Sequence, residues 1–137
     1  MTTSKQTLSL SKALTAGLIG GLIAAIINVI LYFLFQAING GPLLVAIPGT
    51  TGPEPFPIFP VIMLSIIPGL VAGVLFWVLS RFTDNATRWF LIVAAIIFVA
   101  FFFGPIGAAS GVVAILALEL MHVGAAVPII WSLLRRI

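Results

Sequence analysis

Four stretches of this chain are each long and apolar enough to cross a lipid bilayer as an α-helix. They cover about residues 13–37, 56–79, 87–103 and 107–134, and a hydrocarbon core of about 30 Å takes ~20 helical residues. Hydrophobic residues make up 62% of the 137 residues and charged residues 7%, against roughly 25% charged in a soluble domain. Because so few polar side chains cannot cover a surface in water, the sequence predicts an all-α polytopic membrane protein with the lipid bilayer as its main partner. We expect one domain, a bundle of four transmembrane helices over residues 1–137.

The basic residues predict how this bundle is oriented. With four spans, both termini and the turn at residues 81–88 lie on one side of the membrane. That side carries every cation of the chain, namely Lys5, Lys12, Arg81, Arg88, Arg135 and Arg136. The other side carries a single charge, Glu54. The positive-inside rule therefore predicts a multi-pass protein of the cell's inner membrane with both termini in the cytoplasm.

Composition also excludes several classes of function. Six cations spread over the chain form no basic stripe, so we expect no nucleic acid partner. The chain has no cysteine, which excludes disulfides, thiolate zinc sites and iron–sulfur clusters. The first apolar run is too long for a secretory signal, whose apolar region has ~7–15 residues, so we interpret it as a retained span.

Small residues recur in the predicted spans at the spacing of one helical turn. The predicted helix-packing positions are Gly17 and Gly21 in the first span, Gly69 and Gly73 in the second, and Gly107 and Gly111 in the fourth. A second stripe in the first span holds Ala16, Gly20, Ala24 and Asn28. Lipid provides no hydrophobic drive for helix association, so close backbone contact at small residues is needed. We expect packing within the bundle, and the same ridges suit self-association or docking to other membrane subunits.

Four polar side chains form a predicted layer inside the membrane: Asn28, Ser65, Glu119 and His122. The first three each lie sixteen positions from a basic residue at the cytoplasmic end. At 1.5 Å per residue this distance is about 24 Å, just outside the midplane. Glu119 and His122 are three residues apart and therefore share one face of the last helix.

Three interpretations of this layer stay open. In the structural one, Glu119 is neutral and bonds Asn28 or His122 to fix the register of the helices. In the second, Glu119 and His122 handle protons or ions, because an ionisable residue in the membrane is by default a functional hypothesis. In the third, His122 is an axial ligand of a haem or chlorophyll. The identity of any cofactor stays unknown, and no other metal ligand is predicted.

Catalysis is not expected. Glu119 and His122 supply at most two metal ligands and do not form the His-Glu-x-x-His motif of zinc proteases. Asp84 lies on the cytoplasmic turn while His122 lies in the membrane, so no Ser/His/Asp set can form. We therefore predict no catalytic residues and no enzyme activity.

The pattern resembles a family of small uncharacterised bacterial four-span membrane proteins. The shared features are Asn28 at the end of Ala-Ala-Ile-Ile-Asn, the break at Gly104 and Pro105, and the Leu-Met-His sequence that ends at His122. The resemblance covers most of the chain and implies the four-span fold. Since the family has no assigned activity, the resemblance implies no mechanism.

Three classes of function remain. The first is an accessory or structural subunit of a larger membrane complex, or a homo-oligomer. The second is a transporter or channel protomer that uses Asn28, Glu119 and His122. The third is a protein that binds a pigment, haem, quinone or lipid through His122.

Overall fold

The computed structural model describes residues 8–137 and is built on four long helices. These are α1 (Leu10–Asn39), α2 (Ile58–Phe82), α3 (Ala86–Phe102) and α5 (Val112–Arg136), and a short helix, α4 (Gly104–Ala108), follows α3. Together α3 and α4 form the third span, Ala86–Ala108, and each of the four spans is long and apolar enough to cross a membrane. The chain is therefore a multi-pass membrane protein whose spans are all helical, as its sequence predicts.

The first helix has a clear start and a clear end. Ser9 caps its N-terminus by accepting a hydrogen bond from the backbone N–H of Lys12 at 3.2 Å, which satisfies one of the donors left free in the first turn. Its C-terminus is capped by Gly40, whose φ of 70° is a left-handed conformation that glycine adopts without strain. The helix thus extends a few residues beyond the predicted span at each end, because its capping residues, Ser9 and Gly40, lie outside the apolar run.

The loops at the end of the bundle opposite the termini form a small sheet that the sequence does not predict. Its three antiparallel strands lie in the order β2 (Pro53–Pro55), β1 (Leu44–Ala46) and β3 (Ala109–Ser110). Two prolines are accommodated because β2 is an edge strand, where a missing N–H does little harm. Strands of two or three residues are too short to show an alternating pattern in the sequence.

The fourth span begins later than predicted. Helix α5 starts at Val112 rather than near Gly107, because β3 and Gly111 interrupt the chain. Gly111 has a φ of 94°, a non-helical conformation that glycine adopts readily. Helix α5 therefore cannot extend toward the N-terminus beyond Val112. Pro105 lies in the first turn of α4, where a missing N–H is tolerated.

The four spans contribute unequally to the bundle. Helix α1 packs closely against both α2 and α5, which make little contact with each other, and these three helices bury most of the core. Helix α3 has a single buried residue, Phe90, whose ring lies 5.1 Å from that of Phe76 on α2. The architecture is therefore a tight three-helix unit with one peripheral span.

Candidate functional site

The contact between α1 and α2 is made by the backbone. A Cβ built on Gly17 would collide with the carbonyl oxygen of Gly69, and one built on Gly73 would lie 2.6 Å from the carbonyl oxygen of Ala13. A Cβ built on Gly21 would lie 2.9 Å from Cα of Ile66. Position 17 therefore meets 69 and position 21 meets 66, so the two helices run antiparallel with no room for side chains between them.

The second stripe of small residues on α1 packs against α5. A Cβ on Gly20 would lie 2.7 Å from Cα of Ile129. Nearby, the hydroxyl of Ser132 donates a hydrogen bond of 2.7 Å to the carbonyl oxygen of Ala16. The two neighbouring stripes of α1 thus serve two different partners, which leaves α1 at the centre of the three-helix unit.

Gly107 and Gly111 do not lie where the sequence placed them. Gly107 belongs to α4, and Gly111 precedes α5. A Cβ on either would meet no atom within 4 Å. The prediction that Gly107 and Gly111 pack the fourth span is therefore wrong, because both lie before α5 begins.

Asn28 is the polar centre of the three-helix unit. Its side chain is 4% exposed, and Nδ2 donates to Oγ of Ser65 at 3.0 Å and to the carbonyl oxygen of Met121 at 3.1 Å. The Ser65 hydroxyl donates to the carbonyl oxygen of Val61 at 2.7 Å, so its oxygen is free to accept from Asn28. One amide thereby links α1, α2 and α5.

The oxygen atom of the Asn28 amide receives no hydrogen bond from residues 8–137. This atom, Oδ1, is buried. It lies against α5 at Gly124, where a Cβ would be 2.5 Å away. Gly124 is therefore required for the close approach of α1 and α5, a role that sequence spacing did not reveal.

Glu119 and His122 lie apart from Asn28 and Ser65. Glu119 is two residues from Met121, and on a helix two residues are about 160° apart, so its side chain leaves α5 on the side away from Asn28. His122 Nδ1 lies 2.8 Å from the carbonyl oxygen of Leu118 on its own helix. The predicted layer of four is thus divided, and the expected bond from Glu119 to Asn28 or His122 is wrong for this structure.

The carboxyl group of Glu119 has no partner within the described chain. Both oxygens are inaccessible to water and make no hydrogen bond with any residue of 8–137. The side chain as a whole is half-buried. This combination is unusual, since buried polar atoms in proteins are nearly always bonded.

Two residues that the sequence did not single out close the end of the three-helix unit opposite the termini. Leu43, which follows α1, is fully buried and packs with Val61, Ala114 and Ala117. The Tyr32 hydroxyl donates to the carbonyl oxygen of Phe56 at 2.7 Å, which ties α1 to the segment before α2. An aromatic residue late in a span was the available signal for Tyr32; nothing marked Leu43.

The opposite end gathers the basic residues. Because the four spans alternate in direction, Lys12, Arg81, Arg88, Arg135 and Arg136 all lie at one end of the bundle, while Lys5 falls outside the described residues. Arg81 lies over the ring of Trp77 at 5.1 Å and Arg135 over that of Trp131 at 5.5 Å. Such cation–π pairs suit the headgroup region, where one side of the ring is apolar and the other polar.

The chemistry available to these residues is limited. Over residues 8–137 no three His, Asp or Glu side chains come together to hold a metal ion. Apart from the hydrogen bond between Asn28 and Ser65, the described polar groups inside the spans bond backbone carbonyls or make no hydrogen bond. The arrangement can hold helices together and can bind a proton or a single hydrogen-bonding group.

The comparisons with known proteins bear on the family and not on an activity. No curated protein and no solved structure matches this chain. One family matches over residues 9–137, which is nearly the whole sequence, and it agrees with the resemblance to proteins without an assigned activity. The chain belongs to this family, a family of unknown function designated DUF6069.

Proposed function

We propose that this protein is a non-catalytic membrane subunit that associates with a second copy of itself through α3. The observation that carries this proposal is the unequal burial of the spans. In the third span 11% of the most apolar stretch is buried, against 28% to 33% in the other three. A span held so weakly by its own bundle is the one most available to a neighbouring chain.

The exposed side of α3 has the composition of a helix-packing surface. Ile96 is 63% exposed and Val99 57% exposed, and the small residues Ala95 and Ala100 lie exposed beside them. Small residues flanked by branched ones let two helices approach closely in lipid. Cyclic dimers are the commonest soluble homo-oligomers, so a second copy is the simplest partner. An accessory role in a larger complex is the alternative.

Transport through a single chain is less well supported. The backbones of α1 and α2 touch at Gly17 and Gly69, and the outer end is filled by Leu43. These contacts leave no room for a solute between the three packed helices at those levels. A transporter would therefore also need to assemble, and the proposed association through α3 comes first in either case.

The absence of cysteine from the chain allows a clean cross-linking test. Ile96→Cys on α3 and Ile26→Cys on α1 are matched, because the two isoleucines are 63% and 64% exposed. Both variants are treated in native membranes with an oxidant and separated without reductant. We expect Ile96→Cys to give a product of twice the 14.5 kDa chain mass, and Ile26→Cys to give much less.

Equal dimer yields from the two variants would show that collision in the bilayer is being measured, and the proposal would fail. A product of Ile96→Cys with a different mass would overturn self-association and favour the accessory subunit. A Val99→Cys variant, on the same face, distinguishes a poorly placed thiol from a missing interface.

We further propose that both termini lie in the cytoplasm and that the membrane is the inner membrane of the cell. The support is that all five described cations lie at one end, with Glu54 at the other. Thr50→Cys lies in the outer loop and Asn85→Cys in the basic turn, and both positions are exposed. A membrane-impermeant maleimide added to intact cells should label Thr50→Cys and leave Asn85→Cys unlabelled. The reverse pattern would show that the termini lie outside the cytoplasm and would overturn the proposed orientation.

A further inference from the structure

Glu119 presents an ionisable group inside a span with no bonding partner. Both carboxyl oxygens are closed to water and receive no hydrogen bond from residues 8–137. An ionised carboxylate in hydrocarbon with neither donor nor countercharge costs several kcal/mol. The group therefore has to acquire either a cation or a proton.

The surroundings of Glu119 supply no cation. On α5 itself the neighbouring titratable group is His122, one turn away, whose Nδ1 bonds the carbonyl oxygen of Leu118. On α1, Lys12 lies at the far end of the bundle, and the remaining titratable group is Tyr32, whose hydroxyl donates to the carbonyl oxygen of Phe56. The membrane-embedded parts of α2 and α3, residues 58–80 and 89–102, contain no Asp, Glu, Lys, Arg or His. Within residues 8–137 no salt bridge reaches Glu119, and no set of three metal ligands forms.

We propose that Glu119 is a proton-binding site inside the membrane, because its closed carboxyl group receives no hydrogen bond from residues 8–137 and a bound proton removes the cost of a buried charge. A proton is the one ligand that reaches a closed carboxyl group and needs no further ligands from the protein. Release of the proton leaves a carboxylate, so it has to be accompanied by entry of water or by a movement of α5 that brings a donor to the oxygens.

This site is independent of the association proposed for α3. It rests on the carboxyl group of α5 alone, and a monomeric protein would keep it. A negative result in cross-linking leaves the proton site standing, and a negative result below leaves the association standing.

Infrared spectroscopy of the protein in lipid bilayers at neutral pH tests the proposal, because a neutral carboxylic acid and a carboxylate absorb in separate regions. The chain has three acidic side chains, and carboxyl groups in water are ionised at this pH. We expect one neutral carboxyl band per chain, lost in Glu119→Gln and kept in the matched control Glu54→Gln, whose glutamate is exposed on β2.

A wild-type spectrum without this band, or a band that survives Glu119→Gln, would overturn the proposal. Should Glu119→Gln fail to fold, the double variant Glu54→Gln/Asp84→Asn retains Glu119 as its one acidic side chain. That variant must then keep the whole band, and its loss would equally overturn the assignment.

Discussion

The three-helix unit and α3 solve the problem of packing in a membrane differently. Helices α1, α2 and α5 touch through glycine backbones and are linked by the Asn28 amide. Helix α3 is attached by short connections and by Phe90, which contacts the ring of Phe76 on α2 and packs in a cluster with Ile129 and Leu133 of α5. The two regions are similarly apolar in sequence: the mean hydropathy is 2.1 to 2.5 for the spans of the three-helix unit and 2.6 for the third span.

The difference shows that apolarity decides which segments enter the membrane and small or polar residues decide which of them pack. Lipid tails are as apolar as leucine, so a side chain gains little by leaving lipid for another helix. Close backbone contact and a buried hydrogen bond supply what the hydrophobic effect does not. Helix α3 has neither, and this is why it remains peripheral.

The largest expected effect comes from placing a side chain in the glycine contact. Gly17→Val pushes methyl groups into the backbone of α2 at Gly69, and backbone cannot rotate away as a side chain can. We expect a loss of about 3 kcal/mol in the free energy of unfolding in bilayers, at the upper end for overpacking. Gly107→Val is the control, since nothing lies within 4 Å of that position; comparable losses in both would contradict the contact.

Removal of the polar link should have the next largest effect. Asn28→Ala deletes the hydrogen bonds to Ser65 and to Met121. Because interhelical hydrogen bonds in membranes are worth up to about 1.7 kcal/mol, we expect a loss of about 2 kcal/mol in the same unfolding measurement. Asn39→Ala, at the exposed end of α1, removes two amide hydrogen bonds to the carbonyl oxygens of Gly41 and Pro42 that water can replace, so we expect a much smaller loss. A loss equal to that of Asn28→Ala would show that burial of the Asn28 hydrogen bonds adds nothing to stability.

Phe90→Ala tests how α3 is held. The ring is 1% exposed, yet lipid can refill the space, so we expect a cost of about 1.5 kcal/mol, the upper value for an aromatic pair. Distances between spin labels on α2 and α3 should broaden while those between α1 and α2 stay narrow. Phe101→Ala, with a ring 62% exposed, should leave both distributions unchanged; broadening of both pairs by Phe90→Ala would show one cooperative bundle instead.

The smallest effect is predicted for Ser132→Ala, which removes the hydrogen bond to the carbonyl oxygen of Ala16. That carbonyl keeps its bond within α1, so we expect a loss of about 0.6 kcal/mol, the average for such bonds in membranes. Ser110→Ala, on the exposed strand β3, is the control. A loss above that of Asn28→Ala would reverse the order of the two polar contacts.

The sequence predicted the spans because span length and hydropathy are summed over many residues. It also indicated Gly17, Gly21, Gly69 and Gly73, which the structure places at the contact of α1 and α2. It could not show which residues of the polar layer meet, because equal depth does not fix the side of a helix from which a residue projects. Glu119 and Asn28 have the same predicted depth, but Asn28 of α1 contacts one side of α5 and the Glu119 side chain leaves α5 on the other side.

The sheet and the start of α5 were missed for a different reason. The two-residue strand β3 pairs with β1, although two spans separate these strands in the sequence. A contact between segments so distant in the sequence leaves no local pattern. The role of Gly124 was missed because it depends on where Asn28 Oδ1 lies. Close approaches of this kind become visible when the helices are seen together.

The native mass of the protein after extraction in mild detergent tests the central claim most directly. A bulky side chain is added to each region at matched exposure, as Ile96→Trp on α3 and Ile26→Trp on α1. We predict that the wild type and Ile26→Trp have the mass of a dimer and that Ile96→Trp has the mass of a single chain. A dimer disrupted by Ile26→Trp and unaffected by Ile96→Trp would contradict the account, because association would then use the three-helix unit.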